Sequence, residues 1–101
     1  MQPPLTVTYH NLIRSDLANI MTYYEDVAGM EIADDFYAEF IRCVRLAATN
    51  PHGYYSGKND VRRVNLTRFP YNFIFRLYDQ HIQILVVRHH VRKPNFGLRR
   101  R

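Results

Sequence analysis

The stretch Tyr71-Asn-Phe-Ile-Phe-Arg-Leu-Tyr-Asp-Gln-His-Ile-Gln-Ile-Leu-Val-Val-Arg-His89 decides the fold. It is two runs of aromatic and β-branched residues interrupted at Asp79-Gln80. It therefore reads as a hairpin of strands Tyr71–Tyr78 and His81–His89. A two-residue loop pairs Tyr78 with His81, Arg76 with Gln83, and Ile74 with Leu85. Side chains alternate across a strand, so one face carries Phe73, Phe75, Leu77, Ile82, Ile84 and Val86. That face is the expected core. The other carries Asn72, Ile74, Arg76, Tyr78, His81, Gln83, Leu85, Val87 and His89. A slip of one residue would exchange the two sets.

Working outward, Val61 to Leu66 is expected as a third strand, turning at Thr67–Pro70 into the hairpin. Val64 and Leu66 fit the core face, which sends Arg63 and Asn65 to the open one. Upstream, Leu5-Thr-Val-Thr-Tyr9 alternates and predicts a short strand. Leu17, Ile20, Met21, Tyr24, Val27 and Ala28 follow helical spacing, with Ser15 as expected N-cap and Asp16 in the first turn. Gly29 ends that helix. A second helix is predicted from about Glu31 to Thr49, its apolar face being Ile32, Phe36, Phe40, Ile41, Val44 and Ala48. Asn50-Pro51-His-Gly53 stops it, and residues 51–60 form a loop. The order is β-αα-βββ: an α+β fold, with a two-helix hairpin packed on a mostly antiparallel, twisted sheet. At 101 residues the expectation is a single domain over 1–101.

Eight Tyr and six Phe supply a substantial aromatic core. No run of about 18 apolar residues is present, so no membrane span is expected. Met1-Gln-Pro-Pro-Leu5 lacks the basic and apolar regions of a signal peptide, and Cys43 is alone, so a cytoplasmic protein without disulfides is expected. Cys43 reads as a small core residue. The five histidines lack paired metal-ligand spacing, so neither a metal nor another cofactor is expected. Charge is strongly divided. Residues 1–50 hold three Arg against seven acids; residues 51–101 hold eleven Lys and Arg against Asp60 and Asp79. A basic half of this kind points to a polyanionic or acidic partner.

The hairpin register places Arg63, Arg76 and His89 on one side of the sheet, with His90, Arg92 and Lys93 nearby. Arg62, Arg68, Arg92, Lys93 and Phe96 are the expected contacts to nucleic acid or another target. Against this stand plainer roles: Arg62 and Arg63 solvated or paired with helix acids, His89 ending its strand on a backbone carbonyl, and Arg99-Arg100-Arg101 a frayed tail. His90 should point away from His89 and be structural. Ile74, Leu85 and Val87 form an apolar strip on the open face that suits a protein partner.

Arg62-Arg63, then Arg68-Phe69-Pro70-Tyr71, then an apolar hairpin, then His89 with Arg92 and Pro94 form an ordered set. With an N-terminal strand, a helix bearing Tyr23-Tyr24 and a second helix ending near Asn50-Pro51, the chain resembles the RelE/ParE superfamily of type II toxins. The resemblance spans essentially the whole chain. It implies the toxin half of a toxin–antitoxin pair, arresting growth when free. It also implies neutralisation by a cognate acidic antitoxin, wrapping the toxin in a hetero-oligomer and seated here on Ile74, Leu85 and Val87.

The superfamily divides by mechanism. RelE-like members cut mRNA on the ribosome, whereas ParE-like members poison DNA gyrase. If this chain were a nuclease, the resemblance would make Arg63, Arg76 and His89 the catalytic residues: histidine as acid or base, arginine on the phosphate. Many nuclease members also use a tyrosine in the C-terminal tail, where Phe96 stands here. Phenylalanine stacks but moves no proton. The reading therefore leans towards the gyrase-directed mode. The ribosome-dependent endoribonuclease is the first alternative and a non-toxic basic RNA-binding module the second.

Overall fold

The computed structural model describes residues 3–101. Its elements are β1 (Thr6–Tyr9), α1 (Ile13–Ala28), α2 (Met30–Thr49), β2 (Val61–Asn65), β3 (Tyr71–Leu77) and β4 (His81–His89). The expected β-αα-βββ order is the one observed. Short 3₁₀ turns at Pro51–Gly53 and Lys58–Asp60 occupy the long loop. The sheet order is β1-β4-β3-β2, with β1 parallel to β4 and the other pairs antiparallel. Among the described residues, no helix is long and apolar enough to cross a membrane.

α1 begins two residues before the expected cap. Ser15 is not the N-cap; it lies exposed in the first turn. His10 serves the helix start instead: its Nδ1 accepts the Leu12 N–H at 3.1 Å and its carbonyl accepts the Ile13 N–H at 3.0 Å. These bonds satisfy amides that helix geometry leaves free. Gly29 is the hinge between the helices, with φ 94° and ψ 166°. Only glycine adopts this conformation readily, and no atom crowds the place of a Cβ. The two helices pack as the expected hairpin. Val27 and Ala28, read as part of the apolar face of α1, are exposed.

The core lies between the helices and one face of the sheet. Phe36 and Phe40 of α2 meet Tyr71, Phe73 and Phe75, with edge-on contacts of 5.4 Å for Phe36–Tyr71 and 5.5 Å for Phe40–Phe73. Ile13, Ile20, Val44, Ala47, Val64, Ile82 and Ile84 fill the remainder. Cys43 is buried here, as its helical position suggested, and burial pushes its thiol pKa up.

The hairpin register holds from the turn as far as Phe75·Ile84 and then changes. Ile74 pairs with Val86, not with Leu85, so Leu85 is an extra residue in β4. This β-bulge reverses the alternation of everything beyond it. Val87 faces the helices and joins the main core, while Val86 turns to the open face with Ile74 and Leu85. The expected placements of Val86, Val87 and His89 are therefore corrected, and each changes side.

Candidate functional site

The bulge changes the arginine face. Arg63 lies opposite Ile74, Arg76 opposite Gln83 and Arg88 opposite Asn72, so these three arginines share the open face. His89 lies opposite Tyr71 and shares the helix-side face instead. The set Arg63, Arg76, His89 is thus not assembled; Arg88 takes the place expected for His89.

Arg88 is 6% exposed and held by neutral oxygens. Its Nε donates to Asn72 Oδ1 at 3.1 Å, and its Nη1 to the carbonyls of Pro94 and Phe96 at 2.7 and 2.8 Å. Burial, then the charge of Arg63, pushes its pKa down. An arginine so placed holds charge in a fixed position and transfers no proton near neutral pH.

Those carbonyls belong to a C-terminal segment that folds back over the open face. Leu98 packs on Ile74, Leu85 and Val86. Gly97, at φ 81°, approaches so closely that a Cβ would lie 2.5 Å from that of Val86. Arg100 forms a two-pronged ion pair with Asp16 of α1, Nη1 to Oδ2 at 2.6 Å and Nη2 to Oδ1 at 3.2 Å. Arg100 also donates to the Leu85 carbonyl, and Asp16 accepts the Val87 N–H. The pair thereby closes the free edge of β4 beyond β1. Two expectations fail here. Arg100 is docked and not part of a frayed tail, and Ile74, Leu85 and Val87 form no exposed strip. Ile74 and Leu85 lie beneath the chain's own tail, and Val87 is in the core.

The other expected contacts divide. Arg62 points to the helix side and is buried, its Nη1 donating to the carbonyls of Pro51 and Tyr54 at 3.1 and 3.2 Å. It clamps the 51–60 loop and is not a surface contact. Arg68 is exposed but paired with Asp35 at 3.0 Å, while Glu39 accepts the Thr67 and Arg68 amides. Lys93 is exposed. The Arg92 guanidinium lies 4.8 Å from the centre of the Phe96 ring and has no carboxylate partner among the described residues. His90 Nε2 meets the Tyr71 carbonyl at 3.0 Å, the structural role expected of it.

His89 stands edge-on to Tyr71, ring centres 5.0 Å apart, beside Tyr23 and Tyr24. Its Nδ1 accepts the Val91 N–H at 3.1 Å, which in the neutral ring leaves the proton on Nε2. Burial first, then Tyr23, raises the pKa of Tyr71, so its phenol is neutral at physiological pH. On the opposite flank, Tyr9, Leu17, Met21, Tyr37 and Ile41 line a groove of about 880 Å³ bordered by His10 and Arg14. Among the described residues no carboxylate lies in its walls, although the first half of the chain is acidic overall.

Comparison with known proteins bears on this arrangement. The family model for the ParE toxin of the type II toxin–antitoxin system parDE matches residues 7–94. Toxin ParE2 of Mycobacterium tuberculosis, from strains CDC 1551 / Oshkosh and ATCC 25618 / H37Rv, is 32% identical over 87 residues. The match covers 85% of this chain and 82% of that protein. A solved structure described as the chromosomal ParDE TA system from P. aeruginosa superposes with a TM-score of 0.72 at 22% identity. It covers 84% of this chain and 95% of that one, which shows the shared fold. With its β-αα-βββ order and a family match over nearly its whole length, the chain belongs to the ParE toxin family of type II toxin–antitoxin systems, within the RelE/ParE superfamily.

Proposed function

We propose that this chain arrests growth when free by acting on DNA gyrase, and that a cognate acidic antitoxin neutralises it. The observation that carries the target is the make-up of the open face. Arg63, Arg76 and Arg88 stand there, His89 has left it, and the acid–base residues that remain, Tyr78 and His81 at the hairpin turn, are stacked on each other at 4.5 Å with the Tyr78 hydroxyl donating to Gln83. Cutting RNA by attack of a 2′-hydroxyl needs an unengaged acid and base beside the phosphate-gripping arginines, since the guanidinium stays protonated. A face whose charge is supplied by arginines suits gripping a polyanion without cutting it. Phe96 at the tail strengthens the same reading.

The antitoxin, on this reading, seats an apolar segment in the groove of Tyr9, Leu17, Met21, Tyr37 and Ile41. The apolar residues first expected to receive it are covered. The absence of carboxylates from the groove walls suits an acidic segment.

Two incubations test the target. Purified chain added to gyrase, supercoiled DNA and ATP should yield trapped DNA breaks that depend on gyrase. Added to translating ribosomes, it should leave the mRNA intact. Site-specific mRNA cuts without any gyrase effect would overturn the proposal in favour of the endoribonuclease. Normal growth under induced expression of soluble protein would favour a non-toxic binding module.

A further inference from the structure

Beside the arginine face, at the end of β4, lies a cleft of about 330 Å³ that shares Arg88 and Phe96 with it. Its walls are Asn19, Ile20 and Tyr23 of α1, Tyr71 of β3, Val87 to His89 of β4, and Arg92 and Phe96 of the tail. A second hollow of about 280 Å³ adjoins it through Tyr23, Tyr71 and His89. The first alone meets the lower end of the range for small-molecule sites, about 300–1,000 Å³.

Three features of the lining point to one class of ligand. Tyr23 is 55% exposed and Phe96 is exposed too, so aromatic surface is presented to water beside the buried edge of Tyr71. Two cations border the space without a carboxylate to neutralise them. Arg92 has only the Phe96 ring, and Arg88 is held by an amide oxygen and backbone carbonyls. The one acid in the lining, Asp16, is already engaged by Arg100. Finally, donors remain unspent. Arg88 Nη2 and His89 Nε2 have no hydrogen-bond partner among the described residues, and neither has the side-chain amide of Asn19.

We propose that this cleft binds a nucleotide, the base against the rings of Tyr23, Tyr71 and Phe96 and the phosphate at Arg88 and Arg92. Base stacking on aromatic side chains is tolerant of sequence and well suited to a half-exposed tyrosine. The Arg92 guanidinium offers a second flat surface over Phe96. A carboxylate is the weaker fit. Its two-pronged grip is open at Arg92 alone, since Arg88 has a single terminal nitrogen unengaged, and it would leave the aromatic surface unused. A phosphate has oxygens enough to meet Arg88 Nη2, Arg92 and His89 Nε2 one bond at a time. Asn19 stands at the rim, where an amide can read the edge of a base.

The site does not rest on the choice of gyrase as target, because binding is read on the isolated chain. The full-length protein is titrated with AMP as a free nucleotide and with a single-stranded oligothymidylate as a strand. Inorganic phosphate and adenosine serve as separate controls. Heteronuclear NMR follows the Asn19 side-chain amide, the His89 ring and the amides from Val87 to Phe96; calorimetry gives the affinity. Binding of AMP alone would assign a free nucleotide, and binding of the oligonucleotide an unpaired residue in a strand. Either supports the proposal if phosphate and adenosine each bind more weakly and the shifts cluster on the cleft. Tyr23→Ala and Arg92→Ala alter exposed side chains, so both should fold, and each should weaken binding about fivefold or more. Arg45→Ala, on the exposed face of α2, should bind as the parent does. The proposal is overturned if neither probe moves these resonances at millimolar concentration. It is equally overturned if the Tyr23→Ala/Arg92→Ala double variant binds as tightly as the parent.

Discussion

Separating Asp16 from Arg100 should loosen the C-terminal segment, and a double-mutant cycle measures by how much. The two side chains are 11% and 15% exposed and joined by bonds of 2.6 and 3.2 Å. Breaking a buried pair costs about 3–5 kcal/mol when the surviving charge is trapped. The long Arg100 side chain is already partly exposed and can swing into water, so Asp16→Ala should fall below that range on this account. The same change, however, strands the Val87 N–H, worth about 1–3 kcal/mol. The net expectation for Asp16→Ala is about 2–4 kcal/mol. Arg100→Ala leaves the Asp16 carboxylate in place with only the Val87 amide, for about 2–3 kcal/mol. Once either partner is gone the other contributes little, so the double variant should cost less than the sum, with coupling of about 1–3 kcal/mol. Urea unfolding followed by circular dichroism supplies all four corners of the cycle. Coupling below about 0.5 kcal/mol would mean independent sites. Combined with fast hydrogen exchange at Val87 in the parent protein, it would refute the docked tail.

Further expectations follow from single positions. Gly97→Ala drives a methyl group into Val86 and imposes a positive φ, so it should lift the tail, raise dye binding to the uncovered Ile74–Leu85–Val86 patch and cost at least about 1–3 kcal/mol. Gly29→Ala meets no atom and should cost only the backbone term, again about 1–3 kcal/mol, with the sheet-face patch still covered; a loss near zero by urea unfolding would contradict the hinge geometry. In alkali, Tyr24, Tyr54 and Tyr71 have folded pKa values above the unfolded value of about 10, with burial the leading cause. Their protonated forms are favoured by the fold, so this stability is full below the unfolded pKa and is lost as pH rises through the folded ones. Unfolding curves at rising pH should show that loss, and Tyr71→Phe should make it shallower; an unchanged slope would contradict the assignment.

Much of the fold is legible in local pattern because the determinants are local. The helical spacing of Phe36, Phe40 and Val44, the break at Gly29 and the turn at Asp79-Gln80 each act over a few residues, and the structure keeps all three. Ser15 looked like a cap because serine is a good one, but His10 does the task from before the helix with a ring nitrogen. The tail was illegible for a different reason. Gly97, Leu98 and Arg100 are explained only by Val86, Leu85 and Asp16, partners that adjoin them in space and not in sequence.

The bulge at Leu85 did leave a trace. Strict alternation from the hairpin turn puts Val86 inside, Val87 outside, Arg88 inside and His89 outside. Since Leu85, Val86 and Val87 are all apolar, they mark neither face, and a one-residue shift passes unseen through them. Arg88 is the residue that objects: strict alternation would turn an arginine onto the helix-side core, at a cost in desolvation. One extra residue resolves the conflict. It returns Arg88 to the side where Asn72 and the tail carbonyls receive it, and brings Val87 into the core. The same shift carries His89 off the arginine face. A packing requirement at one residue thus removes His89 from the face of Arg63 and Arg76, and leaves there only Tyr78 and His81, stacked on each other at the turn. On the reading proposed above, the burial of Arg88 is what turns that face from acid–base chemistry towards gripping charge.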